Sequence, residues 1–224
     1  MAAEFKQVDD QAALAQLDEL GDEVRQCIGA GARPREQLDA LRDVLARSHG
    51  FAGDREQYDD PQNSMLDVVL QRRVGLPILL SAVYVEVARR AAIDLDGVGL
   101  SGHFVVGHFG TVPALLLDPF NSGAEPDLPG DLSLSPWSAH DIVLRMLNNL
   151  LGSYQRRNDL GRGGRAGEMR CVVGGGQKTF LGIYKRQNAL VRATRAPEMR
   201  LVLAGGHEVA DLERELRALR ARLN

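Results

Sequence analysis

The sequence predicts an α+β domain followed by a helical extension. Three observations predict it. Helical patterns fill the chain up to Ala92, short β-favouring runs follow between Val98 and Leu117, and the C-terminal part repeats itself at a period suited to helical hairpins.

Taken in order, Gln11 to Ile28 places Leu14, Leu17, Leu20, Val24, Cys27 and Ile28 at three- and four-residue steps, the spacing of one helix face. Gly29 to Pro34 interrupts the pattern, and Arg35 to Arg47 resumes it with Leu38, Leu41, Val44 and Leu45. Both helices are expected in the same core. Gly50 to Asn63 reads as a long turn-rich connection. Asp59, Asp60 and Asn63 lack the glycine and distal glutamate of a calcium loop, so they read as turn formers. Ser64 with Asp67 three residues on has capping-box spacing and predicts a short helix over Met65 to Arg72.

The stretch from Arg72 to Phe120 organises the rest. Gly75-Leu76-Pro77 gives a turn and then a proline at the first helical position, where a missing N–H costs nothing. The apolar residues Leu80, Val83, Val85 and Val87 continue to Ala92, with Glu86, Arg89 and Arg90 as the polar stripe. After Asp94-Leu95-Asp96 come the strand-like runs Val98 to Leu100, Phe104 to Val106 and Leu115 to Leu117. A hairpin centred between Gly110 and Thr111 sets His103 directly opposite Asp118, on the same face of the sheet. That register gives an imidazole with a carboxylate to orient it, two parts of a nucleophile–base–orienter site. The alternative is that a His after Gly and an Asp before Pro are turn formers at strand ends. His108 is an odd number of positions from His103 and faces the other side of a regular strand, which argues against a zinc site with Asp118. His49, His140 and His207 have no companions at metal-ligand spacing, and no cofactor is implied.

Asn121 to Pro136 is rich in Gly, Pro, Ser and Asp and reads as a loop bordering this region, either a lid or partner-binding edge or a plain connection. Trp137 and Ser138 open a helix running to about Tyr154. Beyond it, Leu151-Gly152-x-Tyr154-x-Arg156-x-Asn158-x-Leu160 recurs thirty positions later as Leu181-Gly182-x-Tyr184-x-Arg186-x-Asn188-x-Leu190. A fixed period of this size signals stacked helical units that bury their apolar faces on one another. Gly161-Arg162-Gly163-Gly164 reads as a poor helix, Gly174-Gly175-Gly176 as a hinge, and Glu208 to Leu223 as a capping helix. The domains read as 1–143 and a repeat tail, 144–224.

The net charge of −3 conceals an asymmetry: residues 1–143 carry 11 Lys and Arg against 23 Asp and Glu, whereas 144–224 carry 16 against 7. The basic tail either binds an acidic partner such as nucleic acid or docks on the acidic part of its own chain. Arginines at helical spacing with glutamates interleaved favour the second. No run approaches the ~20 apolar residues of a membrane span, and the start is acidic rather than apolar, so a soluble cytoplasmic protein without a membrane contact is expected. Cys27 and Cys171 sit within apolar patterns and are expected as core thiols.

Several separated motifs together resemble the SirB-type transglutaminase-like family: Gly50-Phe51, Tyr58-x-Asp60-Pro61-x-Asn63-Ser64, Arg72-Arg73-x-Gly75-x-Pro77-x-x-Leu80-Ser81, Gly102-His103-Phe104, Asp118-Pro119-Phe120 and Met146 to Leu150. The resemblance implies a papain-like transglutaminase domain with a tetratricopeptide-type helical tail, although the period here is shorter than that repeat's 34 residues. In such enzymes a Cys at a helix N-terminus attacks, with His and Asp on neighbouring strands completing the triad. Carried over, the His is His103, the Asp is Asp118, and the Cys position falls on Pro77. Proline has no nucleophile. Ser81 lies one turn further along the helix and is either a replacement hydroxyl nucleophile or a small residue bonded to a backbone carbonyl. The resemblance therefore leads to a non-catalytic module that binds a protein or peptide through its cleft or tail. The alternatives are a hydrolase or acyl transferase using Ser81, and a nucleic-acid-associated regulator using the arginine-rich tail.

Overall fold

The computed structural model describes residues 10–128 and 134–174. The chain divides into two compact units between Met146 and Leu147. The first holds helices α1 (Asp10–Cys27), α2 (Pro34–Arg42), α3 (Leu66–Arg72) and α4 (Pro77–Arg90), with strands β1 (Ala52–Gly53), β2 (Val74–Gly75), β3 (Asp96–Leu100), β4 (His103–His108) and β5 (Leu115–Leu117). Helix α5 (Ala139–Arg156) crosses into the second unit, where α6 (Leu160–Val173) follows.

Helix α4 is the spine of the first unit. Proline opens it at the first position, and Leu79, Leu80, Val83 and Val87 enter one core with Leu17 and Val24 of α1. The polar stripe fastens α1 from outside: Arg90 pairs with Glu86 at 2.6 Å and with Asp18 at 2.5 Å. Gly21 is required there, since a Cβ would lie 2.4 Å from Arg90 Cβ. Arg25 donates to the carbonyl of Arg90, so α4 ends level with the last turns of α1. This explains a departure from expectation at Cys27. It keeps the apolar spacing but lies beyond the end of α4, and it is exposed rather than a core thiol. Leu14, near the other end of α1, is also exposed. The side chain of Cys171 lies outside the described residues.

The second helix stops being α-helical at Arg42 and continues as a π-type turn over Asp43–Ser48, with Val44 and Leu45 still buried. The expected capping box at Ser64 does not form. Ser64 ends a 3-10 turn (Pro61–Ser64), its hydroxyl is buried without a partner among the described residues, and extended Met65 is the residue before α3. The cap belongs to Asp60 instead, which accepts from the Gln62 N–H at 3.1 Å.

The connection between Gly50 and Ser64 is a brace rather than a plain loop. Ala52 and Gly53 pair in parallel with Val74 and Gly75, too short a ladder to leave a periodic signal. Next to it, Asp54 accepts from Gln57 N at 2.8 Å and from Asn63 Nδ2 at 3.1 Å, while Arg72 reaches Asp60 at 3.3 Å and Asp54 at 3.5 Å. Asn63 is wholly buried, and its carbonyl accepts from Leu76 N, the residue that caps α4. The Asp, Asn and Arg of the motifs thus hold the start of α4 in place.

The three-stranded antiparallel sheet has the order β3-β4-β5. Strands β3 and β4 close at Leu100 and His103 around Gly102, whose φ of 74° suits glycine. Between β4 and β5 the register differs from the expected one: Val106 pairs with Leu117 rather than Leu115, a slide of two residues. The connecting segment 109–114 runs through bends rather than a tight two-residue turn. A slide of two preserves which face each side chain occupies. On the outer edge, Trp137 N donates to Gly97 O at 2.9 Å, and the indole packs edge-to-face on Phe104. Gly99 makes room, since a Cβ would sit 2.2 Å from the ring.

In the second unit, α6 corrects the expectation for Gly161 to Gly164, which are helical. Asp159 caps them by accepting from Arg162 N at 3.0 Å, and Gly163, Gly164 and Ala166 are buried, so missing side chains are offset by close packing. Arg170 donates to Asn148 of α5. The second repeat copy, the glycines after Gly174 and the final helix lie outside the described residues. Among the described residues no helix is long and apolar enough to cross a membrane.

Burial pushes the Asp54 carboxyl upward, but the Gln57 N–H, the Asn63 amide and the Arg72 charge outweigh it and hold the group below the ordinary carboxylate range. Its folded pKa is depressed, so its contribution to stability is full above the unfolded value of roughly 4 and is lost as pH falls through the folded value. Asp54→Asn is expected to be less stable than the parent at neutral pH, with the gap narrowing on acidification. Urea denaturation across a pH series checks this, and a gap independent of pH would contradict it.

Candidate functional site

Two strand ends build the site. His103 is the first residue of β4, placed at the end of the sheet by the turn at Gly102, which leaves its ring 29% exposed. Asp118 directly follows β5 and begins the 3-10 turn Pro119–Asn121. Its Oδ1 accepts from the N–H groups of Phe120 at 3.0 Å and Asn121 at 3.2 Å. Its Oδ2 meets His103 Nε2 at 2.8 Å and Asn121 Nδ2 at 2.6 Å. Both readings of Asp118 therefore hold together: it forms the turn with one oxygen and orients the imidazole with the other.

The pairing survives the two-residue slide because parity is kept. Phe120, in the 3-10 turn that follows, meets the His103 ring edge-to-face with centroids 6.0 Å apart. Asp118 is 3% exposed, and the groups bonded to its carboxylate among the described residues are donors. An acceptor-only carboxylate requires the proton on Nε2 of a neutral His103, which leaves Nδ1 as the nitrogen with a lone pair. Nδ1 has no bond to protein among the described residues.

The other expected residues lie elsewhere. Pro77 is buried at the first position of α4. Ser81 is completely buried, and its hydroxyl donates to the Phe104 carbonyl at 3.5 Å, the backbone-bonding alternative of the sequence reading. His108 is buried, its Nδ1 accepting from Gly110 N at 3.2 Å, which is a loop-closing role. Among the described residues, no three His, Cys, Asp or Glu side chains are grouped to hold a metal ion.

His103, Asp118 and Asn121 face a cleft of about 450 Å³ completed by Leu100, Glu125 and Leu128. The segment after Asn121 does border the site. It is held by an antiparallel bridge in which Asp118 N donates to Ala124 O at 2.8 Å and by Gly123 at φ 70°. The sequence reading missed Arg55, which donates to Asn121 Oδ1 and lies over the Phe120 ring at 5.5 Å. Tyr58 packs on the same ring. Only the Asp-Pro-x-Asn spacing, typical of side chains that bond nearby backbone, hinted at Asn121; nothing local pointed to Arg55, which meets it across 66 residues of chain.

A proline-opened helix packed on a three-stranded antiparallel sheet, with a His–Asp pair at the sheet's end, is the arrangement this geometry defines. The profile of the transglutaminase-like superfamily matches residues 11–129, more than half of the chain, and the chain belongs to that superfamily. A UPF0162 protein of Xylella fastidiosa is 34% identical over 59% of this chain and 54% of its own length. A UPF0162 protein of Pseudomonas aeruginosa is 40% identical over 48% of this chain and 38% of its own. Human F-box only protein 21 is 36% identical over 31% of this chain and 11% of its own. The chain spans about half the length of the Xylella relative. No solved structure matches it.

Removing the buried Asp118 carboxylate leaves four donors without their acceptor, two of them the backbone N–H groups that form the turn. Asp118→Ala is expected to cost about 3 kcal/mol, against the ±0.5 kcal/mol usual for a surface change. Urea denaturation measures it, and a loss under about 1 kcal/mol would show that the turn forms without the carboxylate.

Proposed function

We propose that this chain is a transglutaminase-like module without acyl-transfer activity, which binds a protein or peptide segment in the His103 cleft and acts as a binding component or regulator. One observation carries the reading. By the resemblance, the thiol position of the related enzymes falls on Pro77, and His103 has Asp118 and Phe120 as its only side-chain partners among the described residues. On this reading the base and its orienter remain, and proline at that position offers no group for them to activate.

The cleft supports binding in its own right. Its volume lies in the range of roughly 300–1,000 Å³ typical of ligand sites, and its walls combine Leu100 and Leu128 with His103 and Asn121. A side chain with an apolar stem and a polar tip suits it. The repeat tail is a second surface through which such a module engages a partner. The competing reading makes Ser81 a nucleophile with His103 as base and Asp118 as orienter; the burial of Ser81 and its bond to Phe104 weigh against it.

The test has two arms. Incubated with a glutamine-containing donor peptide and a primary-amine probe, the protein is expected to form no product that depends on His103; turnover abolished by His103→Ala would reverse the reading. Peptides selected from a displayed library on the wild-type protein are expected to lose at least about tenfold in affinity, ~1.4 kcal/mol, when Ala124, which also lines the cleft, is enlarged by Ala124→Trp. Peptides that bind the filled variant unchanged would place recognition outside the cleft.

A further inference from the structure

We propose that Arg55 and Asn121 are positioning residues for the His103–Asp118 pair, fixing which imidazole nitrogen is offered to the occupant of the cleft. The inference rests on the reading of His103 as the group that meets that occupant.

Asn121 shares the Oδ2 of Asp118 with His103, donating from Nδ2 at 2.6 Å beside the imidazole bond of 2.8 Å. An amide side chain has a donor end and an acceptor end, and whatever lies on its far side decides which end faces Asp118. Here that neighbour is Arg55, a guanidinium with donors only, which takes Oδ1. The amide is thereby locked with its donors toward the carboxylate. A reversed amide would set its oxygen against Oδ2 and push the carboxylate off the imidazole.

Arg55 acts along a second route. Its guanidinium covers Phe120, whose ring abuts His103, and Gly53 leaves no room for that ring to retreat, since a Cβ there would lie 2.3 Å from it. One side chain therefore holds Phe120, which touches the imidazole, and Asn121, which acts on it through Asp118. Arg55 itself is anchored by its neighbour Asp54, fixed in the brace by Gln57, Asn63 and Arg72. The motif residues at the start of α4 and the His–Asp pair are linked through it.

Arg55 and Asn121 are both exposed, so their replacement is expected to leave the fold intact. The test records imidazole nitrogen and proton signals of His103 by NMR, with the ring neutral, in wild type, Arg55→Met and Arg55→Lys, alongside amide spectra. Wild type is expected to show a single form protonated at Nε2. Arg55→Met keeps the stem but no donor, and is expected to broaden or average the two ring-nitrogen signals while distant amides stay in place. Arg55→Lys restores a donor and a cation and is expected to recover the single form in part. Wild-type imidazole signals in Arg55→Met would overturn the proposal. So would equal effects of Met and Lys, which would show a packing role only. If Arg55→Met alters distant amides as well, Asn121→Leu decides: unchanged His103 signals there reject the proposal, and loss of the single form upholds it. None of these outcomes depends on a peptide binding the cleft, so failure here is separable from failure of the binding function.

Discussion

The carboxylate of Asp118 is the interaction on which the site depends. It is nearly closed to solvent, and four N–H donors converge on it, from two backbone amides, an asparagine and an imidazole. A buried acceptor without those donors would be costly, and donors without the acceptor would be as costly in turn. The turn after β5, the cleft wall beyond it and the orientation of His103 are therefore consequences of one group. What divides them is oxygen by oxygen: Oδ1 shapes the chain, and Oδ2 serves the imidazole.

The same economy shows at the other side of the site. The start of helix α4 is held by Asn63, whose side chain in turn supports Asp54. Motif residues that look catalytic by their polarity, Asp60, Asn63 and Arg72, serve architecture. A scaffold of this kind keeps its polar residues whether or not it turns over a substrate, because removing any of them exposes an unpaired partner in the brace.

Much of this was legible in the sequence, for identifiable reasons. The helices announce themselves by apolar spacing, and α4 by Pro77. The His103–Asp118 pair could be named although the hairpin register was two residues out, because a strand's period of two makes an even error harmless to facing. Errors appeared where tertiary context outweighs local pattern. Cys27 continues an apolar stripe past the end of its packing partner, and Ser64 has the spacing of a cap but lies in a tighter turn. The glycines after Leu160 look non-helical until Asp159 is seen to cap them. Arg55 was invisible for the plainest reason: its partners are distant in sequence, and a lone arginine in a turn-rich segment carries no signal of them.

The bridge between Asp118 and Ala124 gives the cleft wall a particular mechanical character. Prising residues 119–124 outward would break the bonds that orient the imidazole, so the wall cannot swing aside while the histidine stays aimed. Any occupant of such a recess would meet a preformed mould, with little host disorder to be frozen out on contact.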